Sequence, residues 1–75
     1  MLQMRPNCER CDTDLPADQP GAVICTFECT WCDRCNEVAL KGVCPNCKGD
    51  LMPRPTRSLE LLKKFPASTE RIVSS

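Results

Sequence analysis

Eight cysteines in a chain of 75 residues carry the chemistry of this sequence. They fall into four close pairs, Cys8 with Cys11, Cys25 with Cys29, Cys32 with Cys35 and Cys44 with Cys47. Three pairs are C-x2-C and one is C-x3-C. Two cysteines at such a separation can turn both thiolates toward one ion about 2.3 Å away, because the tight turn between them brings their side chains to one side. Two pairs complete a tetrahedral site, so the count predicts two structural metal ions held by Cys8, Cys11, Cys25, Cys29, Cys32, Cys35, Cys44 and Cys47.

Disulfides are the competing use of eight cysteines. Bridging within each pair would close very short, strained loops, and secreted disulfide frameworks rarely place every cysteine in such a pair. The opening Met1-Leu2-Gln3-Met4-Arg5-Pro6 has no apolar run of the signal-peptide kind, and no stretch approaches the roughly 18 apolar residues of a membrane span. The expectation is a cytoplasmic protein with no membrane association, in a reducing compartment where paired cysteines read as metal ligands.

All-sulfur tetrahedral sites suit Zn(2+), although iron and iron–sulfur clusters use the same donors. The run Cys29-Thr30-Trp31-Cys32-Asp33-Arg34-Cys35 followed later by Cys44-Pro45 is partly that of a bacterial ferredoxin. A ferredoxin run needs its fourth cysteine three residues on, whereas eight residues separate Cys35 from Cys44, and a cluster there would leave Cys8 and Cys11 unused. Two zinc ions are the expected cofactors.

The four pairs can combine in sequence or interleaved, and spacing alone leaves both open. In either scheme the two residues between Cys29 and Cys32 force the metals to be near neighbours in one unit. The order of the pairs, with Pro45 after the seventh cysteine, resembles the RING finger and its all-cysteine variants. That resemblance implies a cross-brace, with Cys8, Cys11, Cys32 and Cys35 on one zinc and Cys25, Cys29, Cys44 and Cys47 on the other. Cys29 then stands where histidine is usual. The whole chain, including Cys44-Pro45-Asn46-Cys47 and the tail Phe65-Pro66-Ala67-Ser68-Thr69-Glu70-Arg71, also resembles a family of small bacterial cysteine-rich proteins grouped only as a domain of unknown function.

The elements that must position the sulfurs are few. A chain this short buries only about 60% of its unfolded surface, and its aromatic residues are Trp31, Phe27 and Phe65. Residues 12 to 24 read as a polar loop leading into strand-like Ala22-Val23-Ile24-Cys25-Thr26-Phe27. Asn36 to Gly42 reads as two helical turns with Lys41 in the last turn and Gly42 as C-terminal cap. Val38, Leu40, Ile24, Phe27 and Val43 are the expected core, with Trp31 shielding the sulfurs. The predicted class is a small metal-stabilised α+β fold: a RING-like or treble-clef two-zinc module over residues 1 to 52, with a short β-hairpin and a short helix. Residues 53 to 75 read as a Pro-containing linker, a short amphipathic helix and a flexible tail. Ser58 caps that helix over 59 to 65, and its stripe of Leu59, Leu62 and Phe65 is expected to pack back on the module.

Formal net charge is zero, but the first 47 residues hold four basic and seven acidic side chains and the rest six and three. The basic residues Arg54, Arg57, Lys63 and Lys64 could meet phosphates, yet nucleic-acid domains carry a larger excess of positive charge and more aromatics. The chain has no histidine, and four-cysteine sites are coordinatively closed. The sequence therefore reads as a non-enzymatic structural zinc module, a protein-interaction adaptor for an unidentified protein partner, monomeric or weakly dimeric. Nucleic-acid binding is the alternative. Iron–sulfur or rubredoxin-like electron transfer, thiol redox sensing and a ubiquitin-ligase-like RING role rank behind it. For the last, the positions matching the ligase pattern are Glu9, Arg10 and Lys48, of which Glu9 and Arg10 lack the apolar character that pattern needs.

Overall fold

A computed structural model describes residues 2–73. Strand β1, Ala22–Ile24, and strand β2, Thr30–Cys32, form an antiparallel hairpin in the register Ala22↔Cys32, Val23↔Trp31 and Ile24↔Thr30. β-branched and aromatic residues favour such a half-buried pleat, and Val23 faces Trp31 across it. The hairpin loop is the C-x3-C segment itself. The Glu28 amide bonds to Cys25 O at 3.1 Å, with Glu28 in the left-handed region at φ 63. Strand β3, Met52–Pro53, pairs antiparallel with the other edge of β1, giving the sheet order β2-β1-β3.

Helix α1, Asp33–Cys35, follows β2 without a break and passes into a π-helical turn over Asn36–Leu40. The two regular turns expected over 36 to 42 are replaced by this wider turn, whose far end is bonded twice to Asn36 at its start. Its carbonyl accepts from the Lys41 amide and its Oδ1 from the Gly42 amide at 2.8 Å. Lys41, at φ 50, takes the left-handed capping place expected of Gly42, which follows at φ 85.

Two further turns are copies of each other. In residues 6 to 15 the Cys8 amide bonds to Thr13 O, the Asp12 amide to Cys8 O and the Leu15 amide to Pro6 O; in residues 42 to 51 Cys44 bonds to Gly49 O, Lys48 to Cys44 O and Leu51 to Gly42 O. Asn7↔Asp14 and Val43↔Asp50 form the matching isolated bridges. Leu15 and Leu51 are both buried at the end of their turns.

The core is Trp31, Val23, Ala22, Leu15 and Leu51 together with Cys8, Cys25, Cys32, Cys35 and Cys44, and Leu40 packs against it. The expected core is corrected here. Phe27, Val38 and Val43 are exposed and Ile24 is half-buried. Burial along β1 falls off toward its end, from Ala22 and Val23 in the core to half-buried Ile24, and Phe27 sits in the hairpin loop, beyond the sheet.

Helix α2, Leu59–Lys64, is capped as expected: Ser58 Oγ accepts from the Leu61 amide at 3.3 Å. Of its stripe, Leu59 and Phe65 are exposed and Leu62 is half-buried, so the expected packing back is at most partial; Leu61, off the stripe, is exposed too. Contacts on either side tether the helix instead. The Arg57 amide bonds to Ala17 O at 2.8 Å, and the Arg57 guanidinium bonds to Leu2 O and Phe65 O, each at 2.7 Å.

The segment read as a flexible tail returns to the module. The Ser68 amide meets Gln3 O, Asn7 exchanges hydrogen bonds with the Ile72 backbone, and Arg71 forks to Asp12 and Asp14 at 2.9 and 2.8 Å. Met1, Ser74 and Ser75, which fall within the expected module and tail, lie outside the described residues.

Candidate metal centre

The two duplicated turns and the hairpin bring seven of the eight thiols into two interleaved groups. Cys8 and Cys11 come from the first turn, Cys32 and Cys35 from the β2–α1 junction, and their four sulfurs all lie within 4.8 Å of one another. The second group draws Cys25 from the hairpin loop and Cys44 and Cys47 from the second turn, again within 4.8 Å. Cys29, at the far end of the hairpin loop, stands outside that tight trio. It packs against the buried core that contains Cys25 and Cys44, and its carbonyl accepts from the Cys25 amide at 3.3 Å. The two groups could each hold a metal ion.

Distances fit a tetrahedral cation better than a disulfide. Legs of about 2.3 Å from metal to sulfur give sulfur–sulfur edges of about 3.8 Å. Cys11 Sγ and Cys32 Sγ are 3.7 Å apart, and all eight cysteines are unbridged.

Backbone amides point at the sulfurs. Arg10 N reaches Cys8 Sγ, Phe27 N reaches Cys25 Sγ, Cys35 N reaches Cys32 Sγ and Gly49 N reaches Cys47 Sγ, each at 3.4 Å. Cys32 Sγ thereby caps helix α1. Side chains add to these: Thr13 Oγ1 lies 3.0 Å from Cys11 Sγ, Arg10 Nη1 is 3.6 Å from Cys35 Sγ and Asn46 Nδ2 is 3.6 Å from Cys29 Sγ. Donors converging on sulfur stabilise thiolate, the form a metal needs.

Hydrogen bonding and burial act against each other on these thiols. Thr13, through its side chain and backbone, holds the exposed Cys11 thiol down to about 6. Burial pushes Cys29 and Cys32 up to about 12. Four neighbouring sulfurs in one cluster cannot all carry charge without a cation among them, so the donor set and its surroundings fit a divalent, thiophilic ion.

Between the clusters lies a polar residue that the cysteine pattern does not reveal. Glu9, inside the first C-x2-C, is 2% exposed. Its Oε2 accepts from the Thr30 amide at 2.7 Å and from Arg5 Nη1 at 2.9 Å, and its Oε1 faces Asn46 Nδ2 at 3.4 Å. The Glu9 amide in turn donates to Thr30 O at 2.9 Å. Glu9 is thus internal rather than at a ligase-type surface. Trp31 is also buried, at 1% exposure, within the sulfur-lined core.

One sequence signal for the paired turns was available. The pattern C-x2-C-x2-Asp-Leu occurs twice, ending in Asp14-Leu15 and in Asp50-Leu51. Of the basic residues offered to phosphates, two are engaged internally. Arg54, 6% exposed, bonds to Arg5 O at 2.8 Å and Leu15 O at 3.0 Å, and Arg57 holds the backbone flanking α2. Among the described residues no helix is long and apolar enough to cross a membrane.

The profile of a family described as a protein of unknown function, DUF1272, matches residues 1–57. An uncharacterized protein of Rhizobium meliloti (strain 1021) is 59% identical over 73 residues, covering 97% of this chain and 87% of that protein. No solved structure matches the chain.

Proposed function

We propose that this chain, which belongs to the DUF1272 family, is a non-enzymatic structural module in which two Zn(2+) ions are held by Cys8, Cys11, Cys32 and Cys35 and by Cys25, Cys29, Cys44 and Cys47. The observation that carries the reading is the interleaving of the sulfurs: Cys8 and Cys11 of one C-x2-C turn meet Cys32 and Cys35, and Cys44 and Cys47 of the other meet Cys25, with Cys29 at the far end of the same hairpin loop. With zinc bound, each cluster ties two distant stretches of chain together and supplies on the order of 10 kcal/mol of folding free energy that so small a core lacks. A RING-like cross-brace is the finer fold assignment that this pairing supports. Closed sets of four sulfurs offer no position for water or substrate, which favours a structural role over hydrolytic catalysis. A reducing cytoplasm, where thiols persist, is the compartment that suits it.

The adaptor reading rests on α2, a capped helix that presents Leu59, Leu61 and Phe65 to solvent. The nucleic-acid alternative is weakened because Arg54 and Arg57 are bound to backbone carbonyls, leaving Lys63 and Lys64 of the four basic candidates. The test is native mass spectrometry with elemental analysis on protein purified under reducing conditions. Two zinc ions per chain are expected; iron, or a metal-free chain with disulfides, would refute the proposal. For the adaptor, Leu61→Asp should keep both ions and the fold while abolishing binding to any partner that wild type retains.

A further inference from the structure

The trio formed by Cys25, Cys44 and Cys47 is tight, whereas Cys29 stands outside it and is reached by the side chain of Asn46. The same Asn46 Nδ2 faces Glu9 Oε1, and Glu9 belongs to the turn that carries Cys8 and Cys11 of the other cluster. Glu9 Oε2 and the Glu9 amide both engage the backbone of Thr30, one residue past Cys29. A buried carboxylate in the first cluster's turn therefore grips, on one side, the amide group that contacts Cys29 and, on the other, the chain that carries it. Arg5 balances its charge at 2.9 Å.

We propose that Glu9 is the positioning residue that closes the second cluster, holding Cys29 in reach of the ion that Cys25, Cys44 and Cys47 would hold. This rests on the reading that the clusters bind metal. Groups that orient a ligand from behind typically contribute ten- to hundredfold in metal affinity. Glu9 would spend that contribution on the cluster to which its own neighbouring cysteines do not belong. Asn46 is the intermediary, and Thr30, placed between Cys29 and Cys32, is the backbone anchor.

The experiment compares wild type, Glu9→Gln and Asn46→Ala, each zinc-loaded, by competition with a chelator. Native mass spectrometry counts ions, and alkylation followed by peptide mapping identifies the released thiols. Expected is a one-ion intermediate in both variants, with the second ion held about ten- to hundredfold more weakly than in wild type. In that species Cys25, Cys29, Cys44 and Cys47 are alkylated while Cys8, Cys11, Cys32 and Cys35 stay protected. General loosening of the fold would expose all eight cysteines at one rate. Asn46→Ala, at an exposed side chain, keeps the test decisive should Glu9→Gln fail to fold. Wild-type protein with two ions, alongside an Asn46→Ala variant that releases both at the wild-type rate or loses the first cluster's ion first, overturns the proposal. Wild-type protein with no ion at all overturns the metal reading beneath it.

Discussion

Asp12 and Lys48 hold the same place in two copies of one turn. Each follows a C-x2-C pair, each donates its amide to the first cysteine's carbonyl at 2.9 Å, and each is left-handed, at φ 62 and 66. That backbone costs an ordinary side chain about 1 kcal/mol and costs glycine little. Among the described residues Lys48 makes no side-chain bond that would offset this, whereas Asp12 Oδ1 receives Asn7 Nδ2 and Arg71. Lys48→Gly should therefore raise the unfolding free energy of the metal-loaded protein by up to about 1 kcal/mol, and Asp12→Gly should not. Chemical denaturation of the two variants checks this; equal responses would mean that the Asp12 side chain contributes nothing.

Trp31 supplies a second comparison. Its ring is fully buried, and its indole N–H has no hydrogen-bond partner among the described residues. Trp31→Ala should cost about 3–5 kcal/mol through the cavity it leaves. Trp31→Phe should cost far less, because removing a buried unpaired N–H recovers part of a desolvation penalty of about 1–3 kcal/mol. Thermal unfolding at fixed zinc concentration measures both, and similar losses for the two would contradict the unpaired indole.

Arg54 is a buried cation whose acceptors are backbone carbonyls rather than a carboxylate. Burial pulls its proton affinity down, yet the guanidinium remains charged in the ordinary pH range. Removing it in Arg54→Ala leaves Arg5 O and Leu15 O unsatisfied and should destabilise by about 2–3 kcal/mol. Arg54→Lys should not restore the loss, since a single ammonium nitrogen cannot occupy both places from which Nη1 meets Arg5 O and Nη2 meets Leu15 O. Full recovery by lysine would show that charge alone matters there.

How far the sequence disclosed all this depends on the kind of interaction. Cysteine spacing is a local property, so the C-x2-C pairs were legible in it, and the Ser58 cap was legible for the same reason. Spacing left the order of pairing open, and only the resemblance to a cross-brace pointed to the interleaving. The core was misjudged because hydrophobicity does not say where along a three-residue strand burial falls off, and sulfurs fill much of the interior that Val38 and Phe27 were expected to occupy. Glu9 entered the sequence reading only as a mismatch to the ligase pattern, because its partners, Arg5 aside, lie far along the chain. The return of Arg71 to Asp12 and Asp14 is hidden in the same way.

Acid should strip the metal, and the thiol environments give the sign. An ion needs every sulfur deprotonated. Cys32 is pushed up to about 12 by burial, and burial raises Cys35 too, so at neutral pH both keep their protons until an ion displaces them. Cys11, held down to about 6, is already ionised there. Loading the first cluster should release at least two protons, so its affinity should fall about a hundredfold for each unit by which the pH drops. The loaded fold is therefore stable toward alkaline pH and lost toward acid. Calorimetry in buffers of differing ionisation enthalpy reads the proton count directly; metal affinity unchanged between about pH 6 and about pH 8 would sink the argument.

The interleaving also fixes an order in time. A chain emerging from the ribosome presents Cys8, Cys11, Cys32 and Cys35 before Cys44 exists, so all four sulfurs of the first cluster are available while the second has only its hairpin cysteines. Glu9 and Thr30 are present by then as well, but Asn46 arrives only with the final turn. Synthesis thus delivers a half-finished molecule with one complete sulfur set and two thiols waiting, and the last turn to be made is the one that completes it.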